Sequence, residues 1–242
     1  MSAQPVLSLP RSAPPSPVAF ALRMCRALHQ HGAPSHRLEE AMLALSARLG
    51  LKGSFFSTPT AIFAAFENDG GGTEVHLLRA GSTGIDLGKL ADLDALSGRV
   101  ARGEVSVENG LAAITGVEAS PSRYGPLFTT LCFCLNSGAA ARFLGGGPRE
   151  IAVALLIGLV TGLLGISGRW RAFEPVAAFA ASLIAAAAAA FTGGLASHIA
   201  VLAGLIALVP GYTLTVALAE LATGHLASGS ARITGAFMNF LT

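Results

Sequence analysis

Charge is scarce in this chain. Only 12% of its 242 residues are charged, about half the roughly 25% of a soluble domain, which argues against an ordinary soluble globular protein and against a disordered chain. Basic runs are missing too. Sixteen basic and 14 acidic side chains leave a net charge of +2, and no Lys/Arg stretch could neutralise a phosphate backbone, so no nucleic-acid partner is expected. Cysteine is rare: Cys25, Cys132 and Cys134 are too few for a disulfide framework and read as buried structural thiols. Residues 1–17 lack a basic stretch leading into an apolar core, so they do not read as a signal peptide; with Pro5, Pro10, Pro14, Pro15 and Pro17 they are expected to form a disordered Pro-rich lead-in.

The charge that is present lies mostly in front. Beyond Tyr124 the charged side chains are Arg142, Arg149, Glu150, Arg169, Arg171, Glu174, Glu220 and Arg232 alone. The expected organisation is an α+β cytoplasmic domain over 18–122, followed over 123–242 by an all-α membrane domain of four to five transmembrane helices.

In the polar half, residues 18–30 fit a helical stripe loosely and 36–49 more clearly. Segments 54–57, 61–67 and 73–79 are rich in Phe, Ile, Val and Thr, and Asn68-Asp69-Gly70-Gly71-Gly72 marks a hairpin between the last two. Helices follow over 87–102 and 105–117, flanking a small antiparallel sheet. His29, His31, His36 and His76 lack metal-ligand spacing, the triple glycine does not lead from a strand into a helix, and no serine sits in a nucleophile elbow. No catalytic residue, metal or cofactor is expected.

In the apolar half, stretches at 127–144, 151–166, 176–191 and 199–218 read as spans, and a fifth begins at 233. Arg123, Arg169, Arg171 and Arg232 fall on one side, which the positive-inside rule makes cytoplasmic; Arg142 and Arg149 fall on the other. Gly158 and Gly162 form a G-x-x-x-G face for close helix approach. Pro210-Gly211 interrupts the fourth span, with the hydroxyls of Tyr212, Thr213 and Thr215 next to it. Such a break is either a packing kink or backbone freed to line a transport pathway. Asn136 is the polar residue of the first span, as helix–helix glue or substrate contact. Glu220 and His225, at the end of the fourth span, are open to headgroup solvation or to proton coupling.

Gly32-Ala33-Pro34-Ser35-His36-Arg37-Leu38-Glu39-Glu40, Thr58-Pro59-Thr60, Gly84-Ile85-Asp86-Leu87-Gly88-Lys89-Leu90 and Val209-Pro210-Gly211 with Gly224-His225 occur in this order. From about residue 18 onward the chain resembles the threonine/serine exporter family. The resemblance implies an inner-membrane secondary transporter that exports a small polar metabolite, threonine or serine or a dicarboxylate such as succinate, driven by the proton gradient. It implies no enzymatic activity, and an oligomer working with a complementary membrane subunit or second membrane half. His36, Arg37, Glu39, Thr58, Pro59, Thr60, Asp86 and Lys89 are family-motif residues without an assigned role. The family's fifth span continues well beyond the ten residues that here follow Arg232, so this half is not expected to export alone. The competing reading is a membrane-anchored regulatory or scaffold protein whose soluble domain binds a partner.

Overall fold

The computed structural model of the chain describes residues 16–68, 70–79, 81, 84–166 and 173–241. The expected lead-in, apart from its last two residues, and the loop arginines Arg169 and Arg171 lie outside them. In chain order the elements are α1 (Pro17–Gln30), α2 (Ser35–Arg48), β1 (Gly53–Ser57), β2 (Ala61–Glu67), β3 (Thr73–Arg79), α3 (Leu87–Ala101) and α4 (Val107–Ala119), then α5 (Pro126–Phe143), α6 (Pro148–Ile166), α7 (Phe173–Thr192), α8 (Ser197–Gly204), a 3-10 turn (Ile206–Leu208), α9 (Gly211–Ala222) and α10 (Leu226–Leu241). The chain divides into two units. The first holds the residues up to Pro121 together with Val216–Arg232; the second holds Ser122–Thr215 and the residues from Ile233 on.

In the first unit α1 is the central element. The Ser16 hydroxyl caps it by accepting from the Ala19 amide, with Pro17 at the first helical position. Its buried residues, among them Phe20, Ala21, Leu22, Met24, Cys25, Ala27 and Leu28, cover more than half of the helix surface, and Arg23, Arg26 and Gln30 share the remaining, partly exposed stripe. The width of the buried face explains the loose apolar stripe in the sequence. Strands β1, β2 and β3 pair antiparallel in that order, with Phe56 opposite Phe63 and Phe63 opposite Leu77. Phe55, Ile62, Ala64, Phe66 and Leu78 project into the helical core, while the alternate positions are exposed, except for the half-buried Ala61 and Ala65. The expected flanking by helices therefore occurs on one face only.

Gly32 turns the chain between α1 and α2 with φ +96°, and a Cβ there would meet Ile85 Cγ1 at 3.1 Å. α3 starts on the Asp86 carboxylate, which accepts from the Lys89 amide at 3.0 Å, and Lys89 Nζ donates to the Glu118 carbonyl at 2.7 Å. Glu118 also pairs with Arg23. Asp86 and Lys89 are thus a helix cap and a tie between α3 and α4.

The second unit is helical. α6 and α7 are long and apolar enough to cross a membrane, and α8 with its 3-10 turn and α9, whose residues from Val216 on belong to the first unit, form a third candidate bent by 62°. α5 and α6 pack as the glycine face requires: a Cβ on Gly158 would stand 2.7 Å from the Phe133 carbonyl, and one on Gly162 2.9 Å from Thr130 Cα. Opposite the α5 and α7 N-termini the loops are tied by charge. Glu150 accepts from the Gly147 and Ala196 amides at 2.9 and 3.0 Å, and Arg149 donates to the Thr192 and Gly193 carbonyls at the end of α7.

Two expectations change. Cys25 is buried, but Cys132 is exposed and Cys134 only partly covered, because they share α5 with the outward Leu127, Leu131 and Leu135. The last helix begins at Leu226 instead of 233. Arg232 is therefore no loop charge, since its guanidinium is paired inside the first unit.

Candidate functional site: a polar cluster and a helix break

Three family-motif segments meet in the first unit. α2 begins after Pro34, whose side chain gives no cap, so its first amides need partners from elsewhere. Glu220, wholly buried on α9, supplies one: its Oε1 accepts from the Ser35 amide at 2.8 Å. Arg232 Nε donates to both Glu220 oxygens, at 3.1 and 2.9 Å, and its Nη2 donates to the Ala33 carbonyl at 3.3 Å. The carboxylate is thus capped by a helix N-terminus and neutralised by a guanidinium. Headgroup solvation, open to it in the sequence, is replaced by protein partners.

A second chain of bonds runs beside the first. Ser35 Oγ donates to Ser228 Oγ at 2.8 Å, which donates to the Ser57 carbonyl at 3.1 Å. Glu39 Oε1 accepts from the Ser57 amide at 2.7 Å, and its Oε2 lies 3.2 Å from His225 Nε2. On the other edge of the same ring, His225 Nδ1 lies 3.1 Å from Thr223 Oγ1. The rings of His36 and His225 are 6.1 Å apart. His29 Nε2 meets the Thr58 carbonyl at 2.8 Å, and burial holds its basicity below the ordinary value. Within this cluster, His29 Nδ1, His36 Nδ1 and Ser57 Oγ are buried without a hydrogen-bond partner among the described residues.

Each ring nitrogen of His225 thus has a polar partner, Glu39 Oε2 at Nε2 and Thr223 Oγ1 at Nδ1, and the Thr223 hydroxyl also donates to the Ala219 carbonyl at 2.9 Å.

The second unit carries the break expected at Pro210. α8 ends at Gly204, and Val209 is extended at φ −65°, ψ 122°, as a residue before proline prefers. α9 restarts at Gly211. Ser137 Oγ, fully buried, donates to the freed Gly204 carbonyl at 3.3 Å. Asn136 beside it is exposed. Tyr212 and Gly211 are exposed, Pro210 and Thr213 half-buried, and the Thr215 hydroxyl donates to the Gly211 carbonyl at 2.9 Å. A separate cavity of about 660 Å³ is lined by Ser122, Tyr124, Pro126, Thr129, Phe133, Gly162, Gly165, Ile166, Phe173 and Glu174. None of the residues expected on the pathway lines it.

Of the family-motif residues, the cluster gathers His36, Glu39, Thr58 and His225. Arg37 and Thr60 are exposed, and the Thr58 hydroxyl closes the Pro59-Thr60 turn on Ala61. Ser35, Ser228, Arg232 and Ser137 take part without having been singled out. Ser35 stands inside the quoted motif, so a signal existed for it. Nothing local marks the others.

Apolar helices long enough to span a bilayer, a broken helix pair and an α+β unit define a multi-helical membrane protein. The chain belongs to the threonine/serine exporter family: residues 19–242 match the family profile described as "Putative threonine/serine exporter". Curated relatives include pheromone-regulated membrane protein 10 of Candida albicans (strain WO-1), 34% identical over 88% of this chain and 20% of that protein. The protein of that name in Saccharomyces cerevisiae (strain YJM789) is 31% identical over 88% of this chain and 29% of its own length. This chain therefore spans less than a third of either relative. No solved structure matches it.

Proposed function

We propose that this chain is one membrane half of a secondary exporter for a small polar metabolite, threonine or serine or a dicarboxylate such as succinate. In this reading its α+β domain is cytoplasmic and precedes four to five spans in a plasma (inner) membrane. A complementary membrane subunit or second half completes the pathway, and the chain has no enzymatic role.

The observation that carries the proposal is the break at Val209–Pro210, with a 62° bend. Unwound backbone at membrane depth is tolerated where it is buried in protein or faces a cavity, and transporters use such backbone to bind substrate. A scaffold held by small-residue packing has no need of it. His225 is the candidate proton site, because its two ring nitrogens face the Glu39 carboxylate and the Thr223 hydroxyl.

Export by cells expressing this chain with its complementary half tests the reading. Pro210→Ala with Gly211→Leu restores a continuous helix and is expected to abolish export while membrane insertion stays normal. Export at the wild-type rate would reduce the break to a packing kink.

A further inference from the structure

The sheet of the first unit has an outward face of unusual composition. Alternation along a strand that covers a core on one side leaves the other side to water and to polar residues. Here the outward positions include Phe56, Phe63, Val75 and Leu77, which are 54%, 41%, 64% and 59% exposed. The register sets Phe56 opposite Phe63 and Phe63 opposite Leu77, one apolar row across all three strands, with Ala65 opposite Val75 beside it. The two phenylalanine rings are 6.2 Å apart. The four side chains leave on the order of 400 Å² of apolar surface, within the size of a monomer's largest patch, which is often a functional one.

The charges around this patch select its occupant. At one end Lys52 pairs with Glu67 at 3.2 Å; at the other stands Arg79, opposite Ala61. This rim is mixed in sign. An anionic bilayer surface attracts a cluster of basic residues at about 1 kcal/mol each, and the patch presents none. A face with the exposed Lys52–Glu67 pair at one end and Arg79 at the other instead offers a second copy a carboxylate for its Arg79, beside Lys52. A two-fold axis lying between two such sheets, perpendicular to the strands, turns each copy end for end. It lays Arg79 of each copy over Glu67 of the other and stacks the two apolar rows between them. Sheets pack in this way about 10 Å apart.

We propose that the outward face of β1, β2 and β3 is a two-fold interface with a second copy of this chain, sealed by Phe56, Phe63, Val75 and Leu77 and registered by Arg79 against Glu67.

The test is the mass of the purified full chain in detergent and in nanodiscs. The wild type is expected to hold two copies. Phe63→Arg with Leu77→Arg is expected to leave one copy, with unchanged circular dichroism and melting, since both side chains are exposed in the single chain. Val75→Lys, a milder change, is expected to weaken the pair at least ~10-fold. Arg79→Glu and Glu67→Arg are each expected to weaken it as well, and combining them to restore it. A wild type with one copy overturns the proposal, as does a pair that survives Phe63→Arg/Leu77→Arg. Failure of the charge swap to restore pairing overturns the register. A dye on Val75→Cys, in a background without the native cysteines, that is quenched by spin-labelled lipid would put bilayer on this face and overturn it too.

Discussion

Replacing Arg232 by Met removes the partner of a buried carboxylate. Glu220 then keeps the Ser35 amide but loses both bonds from Arg232 Nε, and the Ala33 carbonyl loses Nη2. Leaving one member of a buried pair unpartnered costs about 3–5 kcal/mol. The Arg232 side chain retains 18% exposure, so the lower end applies, a rise in the opened population of roughly 100-fold. Cys25 reports it. The thiol is fully buried in the same unit, and burial with the nearby Glu39 charge pushes its pKa up to about 12, so a maleimide reaches the thiolate only through opening. With Cys132 and Cys134 replaced by Ser, labelling of Cys25 in Arg232→Met is expected to accelerate by about that factor. The double variant Glu220→Met/Arg232→Met removes both charges, and is expected to recover all but about 1 kcal/mol, the value of the lost α2 cap. Labelling of Arg232→Met within twofold of the wild type would refute the reasoning.

Acid should loosen the first unit through His29. Burial lowers its folded pKa below the ordinary 6.5, so the unfolded chain takes up the proton first, and stability present above that value falls as pH drops through it. His29→Gln keeps a donor for the Thr58 carbonyl and should flatten this dependence in pH-resolved melting, in part only, since His31 is lowered as well. Gly158→Val places a Cβ 2.7 Å from the Phe133 carbonyl and 2.5 Å from Ser137 Oγ. It should force α5 and α6 apart at a cost of about 1–3 kcal/mol, read as a lower melting temperature, whereas Gly145→Ala, with no neighbour near its Cβ, should act only through its left-handed backbone.

Much of the molecule could be read along the chain because its causes are local. The strands at 54–57, 61–67 and 73–79, the glycine turn between the last two, and the helices around them follow from alternation, periodicity and turn chemistry within a few residues. The break at Pro210 follows from a missing amide, and the approach at Gly158 and Gly162 from missing side chains. Membership of the family was legible in motif order for the same reason.

The pairings were not legible, because they join residues that only folding brings together. Glu220 caps α2 across 185 positions of sequence, since Pro34 leaves the first amides of that helix open. Arg232 looked like a loop charge until Glu220 took it into α10. Asn136 and Ser137 are equivalent on paper, and one step of helix rotation turns the first outward and the second to the Gly204 carbonyl. The apolar outer face of the sheet was likewise hidden in strands that alternate apolar with apolar. Pattern marks a face as apolar only against a polar one; which of two apolar faces meets the core is decided by where α1 and α2 pack.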